Sequence, residues 1–176
     1  YIKVHKKKSE SWKITLIDTG EGALTGTRLK KVQEYVLNED FFFFTYGDGL
    51  SNVNLIKQVE FFSNNNFEAV VTGVTPPGRF GAIESNGSLV KNFFEKPQGD
   101  GGVINGGFFI LKPKVYEYIG NKDISWEDQP LKQLAKNKKL GLFKHDGFWQ
   151  PMDTLRDRNN LEELWVNDDA PWKIWD

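Results

Sequence analysis

The sequence predicts an α/β fold in which a mostly parallel sheet is covered by helices on both faces. Two apolar segments, residues 41–46 and 69–74, are typical of strands that are buried on both sides. Between them, apolar residues recur at helical spacing from Leu55 to Phe62, which predicts a β-α-β unit. Asn86-Gly87 is a strong hairpin signal and predicts an antiparallel insertion.

The remaining elements follow from the spacing of apolar residues along the chain. Alternation of apolar and polar residues predicts half-buried strands, whereas recurrence at helical spacing predicts helices. The predicted strands are residues 2–5, 12–17, 41–46, 69–74, 80–84, 89–94 and 103–111. The predicted helices are residues 27–38, 55–62, a short helix opened by Pro113, 126–136 and 155–165. Strands and helices in alternation are typical of α/β proteins.

Composition excludes several classes of function. The chain has 176 residues, of which 39% are hydrophobic, so residues 1–176 are expected to form one domain or part of one. The net charge is −1 and the basic residues are scattered, which argues against nucleic acid as a partner. The absence of cysteine excludes disulfides, thiolate metal sites and cysteine nucleophiles.

No segment predicts a membrane span or a secretion signal. The longest apolar run, residues 41–44, is far too short to cross a bilayer, and no charged-then-apolar segment opens the chain. A soluble, cytoplasmic protein is therefore expected. Tyr1 lies inside an alternating stretch, which suggests a start in mid-domain. The aromatic C-terminal segment, with Trp165, Trp172 and Trp175, predicts packing or self-association as a homo-oligomer.

Asp48 is the first candidate site residue. It lies between Gly47 and Gly49 directly after a buried strand, at the edge of the sheet where α/β folds bind ligands. The glycines allow close approach, and a carboxylate oxygen suits a Mg²⁺ ion that bridges phosphates. The alternative is an ordinary turn aspartate without a ligand.

Two further segments place polar groups in or after predicted strands. Glu95 and Lys96 precede Pro97, where the carboxylate could accept from sugar hydroxyls and the ammonium could meet a phosphate. An exposed surface pair without a role is the alternative. Asn105 precedes two glycines inside an apolar strand, which indicates either close approach of a ligand or a β-bulge with tight packing.

Asp153 and Thr154 lie immediately before the last predicted helix. Residues of these types cap helices, so an N-cap is the ordinary interpretation of this position. A second carboxylate that meets Asp48 across a cleft would instead complete a divalent-ion site of the kind that phosphoryl-transfer enzymes use. The two roles are compatible.

Seven short motifs, taken in order, resemble the sugar-1-phosphate nucleotidyltransferases, and most closely the glucose-1-phosphate cytidylyltransferases. They are LIDTG (16–20), TGTRL (25–29), TYGDG (45–49), PPGRFGA (76–82), FEKP (94–97), INGGFF (104–109) and FWQPMDT (148–154). The resemblance extends through essentially the whole chain, and the joint pattern is far more specific than any single motif.

The resemblance implies a Rossmann-like core that joins CTP and glucose 1-phosphate into CDP-glucose and pyrophosphate, with Mg²⁺ as cofactor. By motif position, Asp48 and Asp153 are the expected metal ligands, and together with Lys96 they are the expected catalytic residues. The other residues that the resemblance places at the substrates are Glu95, Asn105 and Gly81 for the hexose, and Arg28, Thr25 and Gly26 for the nucleotide.

One departure from the family pattern concerns the triphosphate. The family's glycine-rich Gly-Gly-x-Gly-Thr-Arg-Leu loop and its basic Lys-Pro-Lys segment do not occur in this sequence. The resemblance therefore implies the carboxy-terminal two-thirds of a domain whose first strands are missing, and such a chain alone is expected to be unstable or inactive. Two alternatives stay open: a non-catalytic module that binds a sugar phosphate or nucleotide sugar, and a transferase for UTP or dTTP.

Overall fold

The computed structural model describes residues 12–76, 82–94 and 102–175, which form a four-stranded sheet, two two-stranded ribbons and the helices that pack on them. The strands are β1 Phe42–Thr45, β2 Gly49–Ser51, β3 Ala69–Val74, β4 Ala82–Asn86, β5 Leu89–Phe94, β6 Ile104–Leu111, β7 Leu140–His145 and β8 Trp149–Pro151. The helices are α1 Thr25–Lys31, α2 Gln33–Val36, α3 Leu55–Ser63, α4 Gln129–Lys136 and α5 Leu155–Val166, with a 3-10 helix at Pro113–Tyr118.

The main sheet has the strand order β1-β6-β3-β7. Strands β3 and β7 pair in parallel, whereas β6 runs antiparallel to both β1 and β3. The predicted α/β class is confirmed. The sheet is mixed and not mostly parallel, because β6 runs antiparallel to both of its neighbours, β1 and β3. The carboxyl ends of β1, β3 and β7 consequently meet the start of β6 at one edge.

The core lies on both faces of this sheet. Phe109 and Leu111 of β6 pack in one buried cluster with Leu29 of α1 and Trp126. Ile110, between them in sequence, belongs to a second cluster with Phe62 of α3. Successive side chains of a strand point to opposite faces, so a strand covered on both faces is apolar at every position.

The predicted hairpin and most predicted helices are confirmed. Strands β4 and β5 pair antiparallel around Asn86 and Gly87, and Gly87 has the left-handed φ of 58° that such turns need. The helix predicted over residues 27–38 is divided at Val32, where α1 ends and α2 begins. None of the helices in the described ranges is long and apolar enough to cross a bilayer.

The predicted strand at residues 12–17 is wrong. This segment is described as irregular chain, and Trp12, Ile14 and Leu16 are 73%, 72% and 78% exposed. The strand predicted to pair with it, residues 2–5, lies outside the described residues. Alternation of apolar and polar residues is not enough to form a strand, because a strand also needs a neighbouring strand with which its backbone forms hydrogen bonds.

Candidate active site

The candidate site lies at the sheet edge where β1 ends and β6 begins. The register pairs Thr45 with Phe108, so Tyr46, which follows β1, lies beside Gly107. Asp48 comes two residues later in an exposed turn. Ligands of open α/β sheets bind outside the carboxyl ends of the strands, which is the position that this turn has.

The ribbon formed by β2 and β8 brings Asp48 to Asp153. Gly49 pairs with Pro151 in this antiparallel ribbon. The contact continues one residue further, because the Met152 N–H donates to the Asp48 carbonyl at 2.7 Å. Asp48 is therefore opposite Met152 and diagonal to Asp153, and both aspartates are exposed. Two carboxylates from distant parts of the sequence thus stand on neighbouring backbone positions.

Trp149 attaches this ribbon to the main sheet. Its indole N–H donates to the Gly106 carbonyl at 2.8 Å. A Cβ on Gly106 would lie 2.8 Å from Cγ1 of Val74, so this strand position has no room for a side chain. The two aspartates and Asn105 are in this way held at one end of the sheet.

Asn105 belongs to a chain of hydrogen bonds that ends at α1. Its Oδ1 accepts from the Gly107 N–H at 2.9 Å, and its Nδ2 donates to the Tyr46 hydroxyl at 3.2 Å. The Tyr46 hydroxyl donates to Oε1 of Glu127, and the Thr25 hydroxyl donates to Oε2 of the same carboxylate at 2.6 Å. Sequence reasoning missed Tyr46 and Glu127 as site residues.

The surroundings of Tyr46 keep its hydroxyl protonated. Burial raises the pKa of Tyr46, and the hydrogen bond to Glu127 and the charges of Glu127 and Asp48 raise it further. The hydrogen bond from Asn105 lowers this pKa, but the other causes outweigh it. Tyr46 therefore serves as a neutral hydrogen-bonding group and not as a base.

The double glycine after Asn105 has a packing explanation. A Cβ on Gly107 would lie 2.6 Å from Cδ2 of Tyr46, and the φ of Gly107 is 81°, a conformation that favours glycine. The pairing of β6 with β3 also shifts register between Val71 and Gly73. The sequence offered two interpretations of Gly106 and Gly107, close approach of a ligand or a β-bulge with tight packing. Tight packing with an irregular strand pairing explains both glycines.

The predicted nucleotide-side residues lie at the start of α1. The Gly26 N–H donates to the Ile124 carbonyl at 3.0 Å, and a Cβ at Gly26 would lie 2.8 Å from the same oxygen. Arg28 donates to the Ala23 carbonyl at 2.8 Å and to the Thr19 hydroxyl at 2.6 Å. These contacts fix the start of α1. The nucleotide roles of Thr25, Gly26 and Arg28 stay predictions.

A family model described as Nucleotidyl transferase matches residues 2–150. The chain belongs to this family. Glucose-1-phosphate cytidylyltransferase from Salmonella typhimurium is 48% identical to this nucleotidyl transferase over 175 residues, which are 99% of this chain and 68% of that protein. The resemblance predicted from the seven motifs is confirmed.

Two solved structures show the same fold. HddC from Yersinia pseudotuberculosis has a TM-score of 0.59 at 23% identity, over 82% of this chain and 64% of that chain. UDP-glucose pyrophosphorylase complexed with UDP-glucose has a TM-score of 0.57 at 17% identity, over 85% of this chain and 64% of that chain. This chain therefore spans about two thirds of the length of each of these three proteins.

Three predicted site residues of the nucleotidyl transferase lie outside the described residues. These are Gly81, Glu95 and Lys96, which flank the β4–β5 hairpin. Their roles in binding hexose and phosphate stay predictions.

Asp48 and Asp153 have the chemistry that a magnesium ion needs. Within the described ranges, no group of three or more His, Cys, Asp or Glu side chains could hold a metal by itself. Mg²⁺ is commonly bound by only one or two carboxylates, with phosphate oxygens and water as its other ligands, so a pair of aspartates fits.

The capping residue of α5 is Thr154, which forms a reciprocal capping box with Asp157. Asp153 is therefore not the N-cap of α5.

We predict that Gly107→Ala destabilises the nucleotidyl transferase by about 1–3 kcal/mol, because it adds a left-handed strain and a clash with Tyr46. Urea unfolding measures the loss. The matched control is Gly120→Ala, where a Cβ meets nothing within 4 Å and no such strain exists. Equal stability of the two variants would contradict the packing explanation of Gly107.

Proposed function

We propose that this protein transfers a cytidylyl group from CTP to glucose 1-phosphate, giving CDP-glucose and pyrophosphate. The observation that carries the proposal is the 48% identity, over 99% of this chain, to the Salmonella typhimurium glucose-1-phosphate cytidylyltransferase. The convergence of Asp48, Asp153 and Asn105 at one sheet edge supports it. Membership of a transferase family, together with these three polar residues at one edge of the sheet, favours an enzyme over a non-catalytic binding module.

The proposed reaction needs no nucleophile from the protein. An oxygen of the glucose 1-phosphate attacks the α-phosphorus of CTP, the bond from that phosphorus to the bridging oxygen breaks, and pyrophosphate leaves with the electron pair. The protein contributes by positioning the two substrates in line and by offsetting negative charge. The absence of cysteine is compatible with this chemistry.

In this proposal, Asp48 and Asp153 hold Mg²⁺ at the phosphates. Bound there, Mg²⁺ would supply positive charge that offsets the negative charge of the phosphate oxygens. Asp48 directly precedes β2 and Asp153 follows β8 by two residues, so the spacing of the two residues depends on the β2–β8 ribbon. The exposure of both residues leaves room for phosphate oxygens to approach.

The sugar side of the site is assigned to the start of β6 and the hairpin. Asn105 is exposed and its amide is oriented by two hydrogen bonds, so it is suited to bind a hexose hydroxyl. Glu95 and Gly81 are proposed to contact the hexose, and Lys96 its phosphate. Arg28, with the Thr25 and Gly26 backbone, is proposed to lie towards the nucleotide.

We predict that Asp48→Asn and Asp153→Asn each lower kcat by about 100-fold or more, because each removes one negative oxygen donor from the proposed ion. Pyrophosphate release from CTP with glucose 1-phosphate and Mg²⁺ measures turnover. The chain is extended at its amino end with a segment that carries the family's Gly-Gly-x-Gly-Thr-Arg-Leu loop. The isolated 176 residues contain no such loop and are expected to give no detectable turnover.

The control for this experiment is Glu162→Gln, an exposed carboxylate on α5 that should leave kcat unchanged. Full activity of both aspartate variants would remove Asp48 and Asp153 as metal ligands. Faster turnover with UTP or dTTP than with CTP would correct the base. Binding of glucose 1-phosphate without turnover in the extended chain would support the non-catalytic module instead.

We also propose that the protein self-associates through its C-terminal segment. Trp165, Val166, Ile174 and Trp175 are 49%, 72%, 74% and 57% exposed. These four residues lie within residues 165–175, and apolar surface of this kind is typical of regions that bind another protein.

Sedimentation velocity tests self-association. The wild type should sediment as more than a monomer, and Ile174→Ser combined with Trp175→Ser should shift it towards the monomer, because the change removes apolar surface. The matched control is Ile56→Ser with Leu55→Ser, two exposed apolar residues on α3. A monomeric wild type at micromolar concentration would contradict the proposal.

A further inference from the structure

The orientation of the Asn105 amide is set by hydrogen bonds and not by packing. The side chain is exposed, so few neighbours restrict it. Its oxygen faces the Gly107 N–H at 2.9 Å, and its nitrogen faces the Tyr46 hydroxyl at 3.2 Å. An amide nitrogen can only donate and a backbone N–H can only donate, so this arrangement permits one orientation of the amide.

The direction of the Tyr46 hydroxyl proton follows from its second partner. The hydroxyl contacts Oε1 of Glu127, and an ionised carboxylate can only accept. The single hydroxyl proton is therefore donated to Glu127, which leaves a lone pair of the oxygen for the Asn105 nitrogen. If Tyr46 donated towards Asn105 instead, the amide would have to present its oxygen and lose its bond with Gly107.

Glu127 is fixed in turn by α1. The Thr25 oxygen accepts from the Trp126 N–H at 2.9 Å, so its hydroxyl proton is available for Oε2 of Glu127 at 2.6 Å. Each donor in this series of four side chains has one acceptor. Asn105 donates to Tyr46 and Tyr46 donates to Glu127, while Thr25 donates to Glu127 from the other side. Charge-assisted hydrogen bonds of this kind are stronger than neutral ones.

The ring of Tyr46 is also restrained. Gly107 leaves no space between the strand and the ring, since a Cβ there would lie 2.6 Å from Cδ2. The ring contacts Phe44 and Phe109 edge-on, with centroid distances of 5.9 Å and 6.0 Å. The hydroxyl therefore occupies one position relative to Asn105.

We infer that Tyr46 and Glu127 are positioning residues that determine which way the Asn105 amide faces the sugar. With Asn105 oriented in this way, one N–H of its nitrogen and one lone pair of its oxygen remain for a ligand. That pair matches a sugar hydroxyl, which can accept and donate at once. The inference rests on the proposed function, in which Asn105 binds the hexose, and it adds two residues that no motif indicated.

The test is Tyr46→Phe in the extended chain, a change that keeps the ring and removes only the hydroxyl. KM for glucose 1-phosphate should rise by about tenfold, since the amide loses the partner that fixes it, while KM for CTP should change by less than about twofold. Asn105→Ala should raise KM for glucose 1-phosphate similarly, and the double variant should show no further rise, because Tyr46 acts through Asn105. Glu127→Gln should raise KM for glucose 1-phosphate less than Glu127→Ala, because the glutamine keeps an oxygen that can accept from Tyr46.

Tyr35→Phe is the control, because it removes an exposed hydroxyl on α2. A second measurement is independent of turnover: the side-chain amide NMR signals of Asn105 should shift and broaden in Tyr46→Phe and stay unchanged in Tyr35→Phe. An unchanged KM, additive single and double effects, or unchanged amide signals would overturn the inference while the transferase proposal stands. An extended wild type that neither turns over nor binds glucose 1-phosphate would overturn both.

Discussion

The antiparallel pairing of β2 with β8 is the constraint on which the candidate site depends. Each strand has only three residues, and an isolated two-stranded ribbon is marginally stable in water. Two further contacts therefore have to hold it. On one side, Trp149 donates to Gly106 of the main sheet. On the other, Leu50 of β2 packs against a small core that contains Trp172 from the end of the chain. Both contacts therefore stabilise the ribbon that has Asp48 and Asp153 at its end.

The two halves of the site are built differently, and the difference suits their proposed tasks. The aspartates are exposed at the end of the half-buried β2–β8 ribbon, where phosphate oxygens and water could complete the coordination of an ion. Asn105 stands on the central strand of the sheet, and its amide is fixed through Tyr46 and Glu127. A sugar hydroxyl requires a donor and an acceptor in fixed orientation, whereas most ligands of a Mg²⁺ ion held by two carboxylates are water and phosphate oxygens that come from outside the protein.

Much of the fold was predictable because its signals are local. Helical spacing located α3 and α5, and Asn86-Gly87 located the hairpin. The strands β2 and β8 were not predicted, since three residues give no periodic pattern and their pairing joins distant parts of the chain. The direction of β6 was also not predictable, because a strand buried on both faces has the same apolar pattern in either direction.

In the candidate site, only residues inside the recognised sequence motifs could be predicted. Asp48, Asn105 and Asp153 were named from their positions beside glycines or before a helix, and the structure brings them to one edge. Glu127 had no such signal, because its importance comes from contacts with Tyr46 and Thr25 that exist only in the folded chain. A charged residue near the start of a predicted helix is otherwise an ordinary surface residue.

The proposal that Asp48 and Asp153 share one ion is tested most directly by Mn²⁺ in place of Mg²⁺. In the extended protein with CDP-glucose, backbone NMR signals next to both aspartates should broaden together, and Asp48→Asn should remove the broadening at both. Broadening beside only one aspartate, or elsewhere on the protein, would contradict the account.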